Sequence, residues 1–115
     1  MPHIRMVFPE DLKVRELVKL HGGTILKLVA EELGYEAKDV AMVPEVIRIE
    51  NAELAVNLLP LELVIDSGSR ASENAQRHAD NIVAKLARMD GFGELVFGVW
   101  LRPMSESKFA GHNIN

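Results

Sequence analysis

Residues Pro60–Leu86, PLELVIDSGSRASENAQRHADNIVAKL, carry the reading that decides the fold. Leu58 to Asp66 is a strongly apolar run closed by the turn residues Ser67-Gly68-Ser69, and it predicts a β-strand. Beyond the turn, Ala75, His78, Ala79, Ile82, Val83 and Leu86 recur at helical spacing, with Ser69 as the expected N-cap and a stop near Asp90-Gly91. Glu94 to Arg102 then predicts a further strand, with Leu95, Phe97, Val99 and Leu101 on one face and Val96, Trp100 and Arg102 on the other. Because both faces are largely apolar, this strand is expected to be covered on both sides. The order is β-α-β.

Working outward, the N-terminal half repeats that order. Ile4, Met6 and Phe8 alternate with Arg5 and Val7, the period of two of a strand with unlike faces. Pro9-Glu10-Asp11 ends it and opens a helix, whose apolar positions Val14, Leu17, Val18, Ile25, Leu28 and Val29 run on to a stop at Gly34. Gly22-Gly23 falls inside that helix, where each glycine costs about 1 kcal/mol relative to alanine, so either an interruption or a close packing contact is expected. After the loop Tyr35 to Asp39, Val40 to Ile49 is rich in β-branched residues but holds Pro44, which predicts a bulged strand or two short edge pieces. Asn51 to Asn57 reads as a connector. Two βαβ units, about residues 1–57 and 58–115, make one α+β domain with two helices on one face of a mixed four-stranded sheet. The opposite sheet face is expected to be apolar and to drive oligomerisation.

Composition narrows the function classes. The chain has 115 residues, 48% of them hydrophobic and 26% charged, enough for one cored domain. A net charge of -4 argues against a nucleic-acid partner, which needs clustered basic residues. Without cysteine there are no disulfides, thiolate metal sites or thiol nucleophiles. No secretory signal and no membrane-length apolar run is read, so the expected location is the cytoplasm. His21, His78 and His112 lack the paired spacing of a metal site, and no cofactor is expected. Glu31-Glu32 reads as a solvated helix face.

The paired βαβ units, the opening Met1-Pro2-His3 and the strand, turn and helix from Pro60 with Ser67-Gly68-Ser69-Arg70 resemble the tautomerase superfamily, as an uncharacterised bacterial branch. The segment FGVWLRPMSESKFAGHN, with Met104 and Phe109, continues the likeness. The resemblance implies a homotrimer whose sheets form a central barrel, with a pocket around the N-terminal proline at each subunit boundary. It also implies keto-enol tautomerisation of a small 2-oxo acid. Two departures stand out: Gly98 occupies the place of an Arg or Tyr on the last strand, and Arg48 is only a loose match for a second cation.

In that chemistry a base of near-neutral pKa moves a proton on the carbon beside a carbonyl, and a cation or donor holds the developing enolate oxygen. If Met1 is removed, Pro2 becomes a secondary amine able to act as the base. Arg70 binds the carboxylate and polarises the carbonyl. His3, Arg48, Trp100, Arg102 and Phe109 complete the substrate-binding set. Each residue also has a plainer reading: Pro2 directs methionine removal, Arg70 pairs with Glu73 or Asp66, Trp100 and Phe109 pack at an interface, and His3 is an exposed strand residue. The alternative function is a non-catalytic trimeric binding or structural protein of the same fold.

Overall fold

A computed structural model describes residues 2–48, 59–68 and 73–104. The elements are β1 (His3–Pro9), α1 (Leu12–Leu33), a short 3-10 turn (Ala37–Asp39), β2 (Ala41–Ile47), β3 (Leu61–Gly68), α2 (Ala75–Ala87) and β4 (Phe97–Met104). The four strands form one sheet in the order β2-β1-β3-β4. Within each βαβ unit the strands are parallel, and the units meet through antiparallel β1 and β3, where Ile4 faces Ile65 and Met6 faces Leu63. The architecture is the expected α+β sheet with two helices.

Strand alternation builds the core. Ile4, Met6 and Phe8 of β1 and Leu61, Leu63 and Ile65 of β3 are buried beneath Val18, Ile25 and Val29 of α1 and Ile82 and Leu86 of α2. Each such side chain contributes about 1.5–3 kcal/mol when fully withdrawn from water. Phe92, wholly buried after α2, makes edge contacts with His21 and Phe97 at centroid distances of 5.6 and 6.1 Å. Asp11 caps α1 by accepting from the Lys13 and Val14 amides at 2.9 and 3.2 Å. At the other end Gly34 turns into the left-handed region at φ 78°, and the Tyr35 amide donates back to the Ala30 carbonyl at 2.9 Å.

Several expectations change in detail. The helix is not interrupted at Gly22-Gly23: Gly22 is buried, and a Cβ there would lie 3.4 Å from Met42 Cε, while Gly23 meets nothing within 4 Å. β2 carries no bulge. It is an edge strand whose Ala41 amide donates to Pro2 and whose Ile47 carbonyl accepts from Glu10, both at 3.1 Å. Odd-numbered residues of β2 therefore turn their backbone groups to β1, and Pro44 occupies an outward-facing amide position where no ladder bond is lost. α2 is preceded by Asn74 at its N-cap position and ends at Ala87; Ser69 lies outside the described residues. β4 starts at Phe97 because Gly91 to Glu94 form turns first. No helix of the described residues is long and apolar enough to cross a membrane.

The sheet face away from the helices is mixed rather than apolar. It carries His3, Arg5 and Val7 from β1, Glu62, Val64 and Asp66 from β3, and Trp100 and Arg102 from β4, with Trp100 57% exposed. Strand alternation puts every second residue here, and in β1 and β3 those residues include four ionisable side chains.

Glu32 is likewise no solvated helix residue. Its carboxylate, 11% exposed, bridges the helices by accepting from His78 Nδ1 at 2.8 Å, with Lys85 Nζ at 3.4 Å. An ionised carboxylate only accepts, so His78 is the donor. Burial raises the carboxyl pKa, but the hydrogen bonds from His78, Asn81 and Lys85 outweigh it and hold the group below its ordinary value. That contribution to stability is complete above the ordinary Glu range and fades as pH falls through the lowered folded value. Glu32→Ala is expected to lower the unfolding free energy at pH 7 by about 1–3 kcal/mol in urea titration, with the difference shrinking in acid.

Candidate active site

Pro2 stands at the head of β1 and is buried. Its carbonyl accepts from Ala41 on β2, and the register His3 to Asp66 places it beside the C-terminal end of β3. Four strand ends therefore lie at this end of the sheet: the starts of β1 and β2 and the ends of β3 and β4. Their geometry follows from the two ladders of β1, one parallel and one antiparallel.

The open face carries a cross-strand row, His3, Asp66 and Arg102, immediately next to Pro2 in register. Arg102 donates to Asp66 through Nε at 2.6 Å and through Nη2 at 2.9 Å, a two-pronged contact. The Arg102 bond is the main reason the Asp66 carboxyl sits below its ordinary value; burial opposes it, and the charges of Arg102, Arg5 and His3 reinforce it. Arg102 is correspondingly raised by Asp66. Two of the five guanidinium donors are used in this pair, which leaves three for a further acceptor. The sequence offered Asp66 as a partner of Arg70 and not of Arg102, because nothing there gives the β3-to-β4 register; alternation alone places it on the face of Glu62 and Val64.

The remaining candidates are distributed unevenly. His3 is exposed on the open face one residue from Pro2, and Trp100 stands opposite Val64 on the same face. Arg48 follows β2 at the opposite end of the sheet, beyond the Pro9 to Ile47 pair, and is exposed. At about 3.3 Å per residue it lies roughly 26 Å along the strand from its own Pro2. Arg70 and Phe109 lie outside the described residues. Gly98 faces Glu62, and a Cβ there would meet Leu59 Cδ1 at 3.2 Å, so an apolar side chain stands where the resemblance led to expect a polar one.

Tyr35 is a residue that sequence reasoning passed over as loop. Its position directly after the helix stop at Gly34 was the available signal, and the structure brings its hydroxyl to the end of β3: a Cβ on Gly68 would lie 3.8 Å from the hydroxyl oxygen. A concavity of about 950 Å³ lies elsewhere, lined by Leu17, Leu20, Pro60, Arg88 and Gly91 among others, and none of the candidate residues is among its described lining. Among the described residues no group of three or more potential metal ligands comes together.

No protein-family model and no curated protein matches the sequence. Solved structures do match. A fused 4-OT, described as a wild-type asymmetric trimer, superposes with a TM-score of 0.59 at 16% identity, covering 96% of this chain and 94% of that one. Pt0534 inactivated by 2-oxo-3-pentynoate gives a TM-score of 0.57 at 17% identity over 95% and 93% of the two chains. FG41 malonate semialdehyde decarboxylase inhibited by 3-bromopropiolate gives 0.53 at 18% identity over 96% and 90%. With likeness over nearly the whole length of each, the chain has the fold of the tautomerase superfamily.

Proposed function

We propose that this protein is a keto-enol tautomerase of small 2-oxo acids, working as a homotrimer with the Pro2 nitrogen as general base. The observation that carries the reading is the position of Pro2: buried, at the head of a central strand, in a fold shared with a protein inactivated by a 2-oxo acid. While Met1 is attached the nitrogen is an amide without a basic lone pair. After its removal the nitrogen is a secondary amine, and burial favours its neutral form. It takes the proton from the carbon beside the carbonyl as the C–H electrons form the enolate double bond, and the carbonyl electrons move to oxygen. The enolate oxygen takes a proton from water to give the enol; in the reverse direction the enol oxygen gives up that proton and the protonated Pro2 nitrogen returns one to carbon. Arg70 binds the carboxylate, while Arg102 and, from a neighbouring copy, Arg48 supply positive charge and His3 a hydrogen-bonding ring; Trp100 and Phe109 limit access of water.

The trimer is supported by the exposure of Trp100 on the open sheet face and by the trimeric state of the fused 4-OT. Two observations favour the second reading, a binding or structural trimer without chemistry: two donors of Arg102 are committed to Asp66, and position 98 has no side chain to offer.

Both readings meet the same assay. Mass spectrometry of untagged protein is expected to show loss of Met1, and ketonisation of phenylenolpyruvate is expected to be faster with wild type than with Pro2→Ala by at least about 100-fold. Retained Met1, or equal rates for the two proteins, refutes the base role. Sedimentation at micromolar concentration is expected to give three times the subunit mass; a monomer rules out the trimer.

A further inference from the structure

We infer that the site takes 2-oxo acids with a single carboxylate and an uncharged, apolar tail, and that Asp66 is the residue that sets this specificity. The inference rests on the reading of Pro2 as the base and adds a substrate class to it. It follows from how charge is distributed over the open sheet face beside Pro2. The first row of that face, His3, Asp66 and Arg102, holds the two-pronged pair of Arg102 with Asp66. Further from Pro2, Arg5 Nη1 lies 3.5 Å from Glu45 Oε2, so this charge too is matched within the chain. Glu62 has Val7 and Gly98 as its cross-strand neighbours and forms no ion pair among the described residues. Both arginines that β1 and β4 place on this face are thus neutralised, and one carboxylate is left over. A second carboxylate on the substrate leaves water for a surface that offers it no unmatched arginine or lysine from these strands. An uncharged tail meets a better surface: Val64 and Trp100 stand opposite each other one row on, and Trp100 is largely exposed.

The place of Asp66 makes it the deciding group. It is level with His3, whose preceding residue is Pro2, and neighbouring strands are about 4.8 Å apart. Beside the guanidinium its carboxyl is held below the ordinary value and stays ionised at neutral pH. The carboxylate acts in two ways. It fixes the fork of Arg102 through Nε and Nη2, and it cancels most of the charge by which Arg102 would draw in a second anion. Asp66→Asn keeps the size of the side chain and an acceptor for the fork, and removes the charge alone.

Trp100 is the single tryptophan of the chain and stands two residues from Arg102, so its fluorescence reports binding directly. The probes are 2-oxohexanoate and 2-oxohexanedioate, which share a carbon skeleton and differ in the terminal carboxylate. Met1-free wild type is expected to bind the monocarboxylate at least about 10-fold more tightly. Asp66→Asn is expected to narrow that preference to within about 2-fold, and Arg102→Met to widen it, since the Asp66 charge then stands alone. Opposite shifts from the two partners are not produced by a purely structural pair, which would weaken both acids alike in both variants. Such parallel losses overturn the inference, as does tighter binding of the dicarboxylate by wild type, or no saturable response to 2-oxohexanoate. If these results come with phenylenolpyruvate ketonisation faster in wild type than in Pro2→Ala, the specificity inference fails and the proline reading stands. If wild type is no faster than Pro2→Ala, the base role is refuted, and the titrations decide the anion preference by themselves.

Discussion

The antiparallel pairing of β1 with β3 is the constraint on which the rest of this structure depends. Each strand is the first of its own βαβ unit, and neither unit alone covers both sides of its inner strand. Joined, they form the centre of the sheet, and Ile4, Met6, Leu63 and Ile65 make one continuous apolar surface beneath the helices. A slip of one residue in this register would exchange that surface for Arg5, Val64 and Asp66, which would put charge under the helices. The same register aligns Pro2 with the end of β3, so the candidate site is a consequence of the core and not an addition to it.

Alternation made the fold legible. Ile4, Met6 and Phe8, and then Leu61, Leu63 and Ile65, announce strands with unlike faces, and the helical spacing of Ile82 and Leu86 announces the layer above. What remained hidden was whatever depends on a neighbour far away in sequence. Pro44 suggested a bulge because its place at an edge, with its amide position turned outward, is decided by β1 and not by its own segment. Glu32 read as solvated because the donors that bury it, His78 and Lys85, come from α2. Trp100 and Val96 suggested an apolar open face because the charges beside them belong to β1 and β3. The pairing of Asp66 with Arg102 and the place of the Tyr35 hydroxyl were hidden for the same reason: each depends on a strand that periodicity cannot locate.

The open face shows how far fold likeness reaches. Structures at 16–18% identity share the architecture over nearly the full length, a likeness of fold that does not extend to the side chains of the open face. The outward rows are where this chain sets its own chemistry. The row His3, Asp66, Arg102 is closely matched in charge, so Arg102 attracts an anion less strongly than a lone guanidinium would. Its three remaining donors still give direction, and a ligand there is selected more by geometry than by charge.

Two glycines on that face sharpen the distinction between fold and site. At Gly98 the vacant side-chain position is approached by Leu59, which makes it apolar; at Gly68 it is approached by the hydroxyl of Tyr35, which makes it polar. Both are extended-strand positions, so neither glycine is there for a special backbone angle. Each leaves room for a side chain delivered from outside the strand. The two positions differ in polarity because one is met by Leu59 and the other by the connection between α1 and β2. That connection is anchored by the cap at Gly34, so the position of the hydroxyl is tied to the end of a buried helix and through it to the core that the β1 to β3 seam creates.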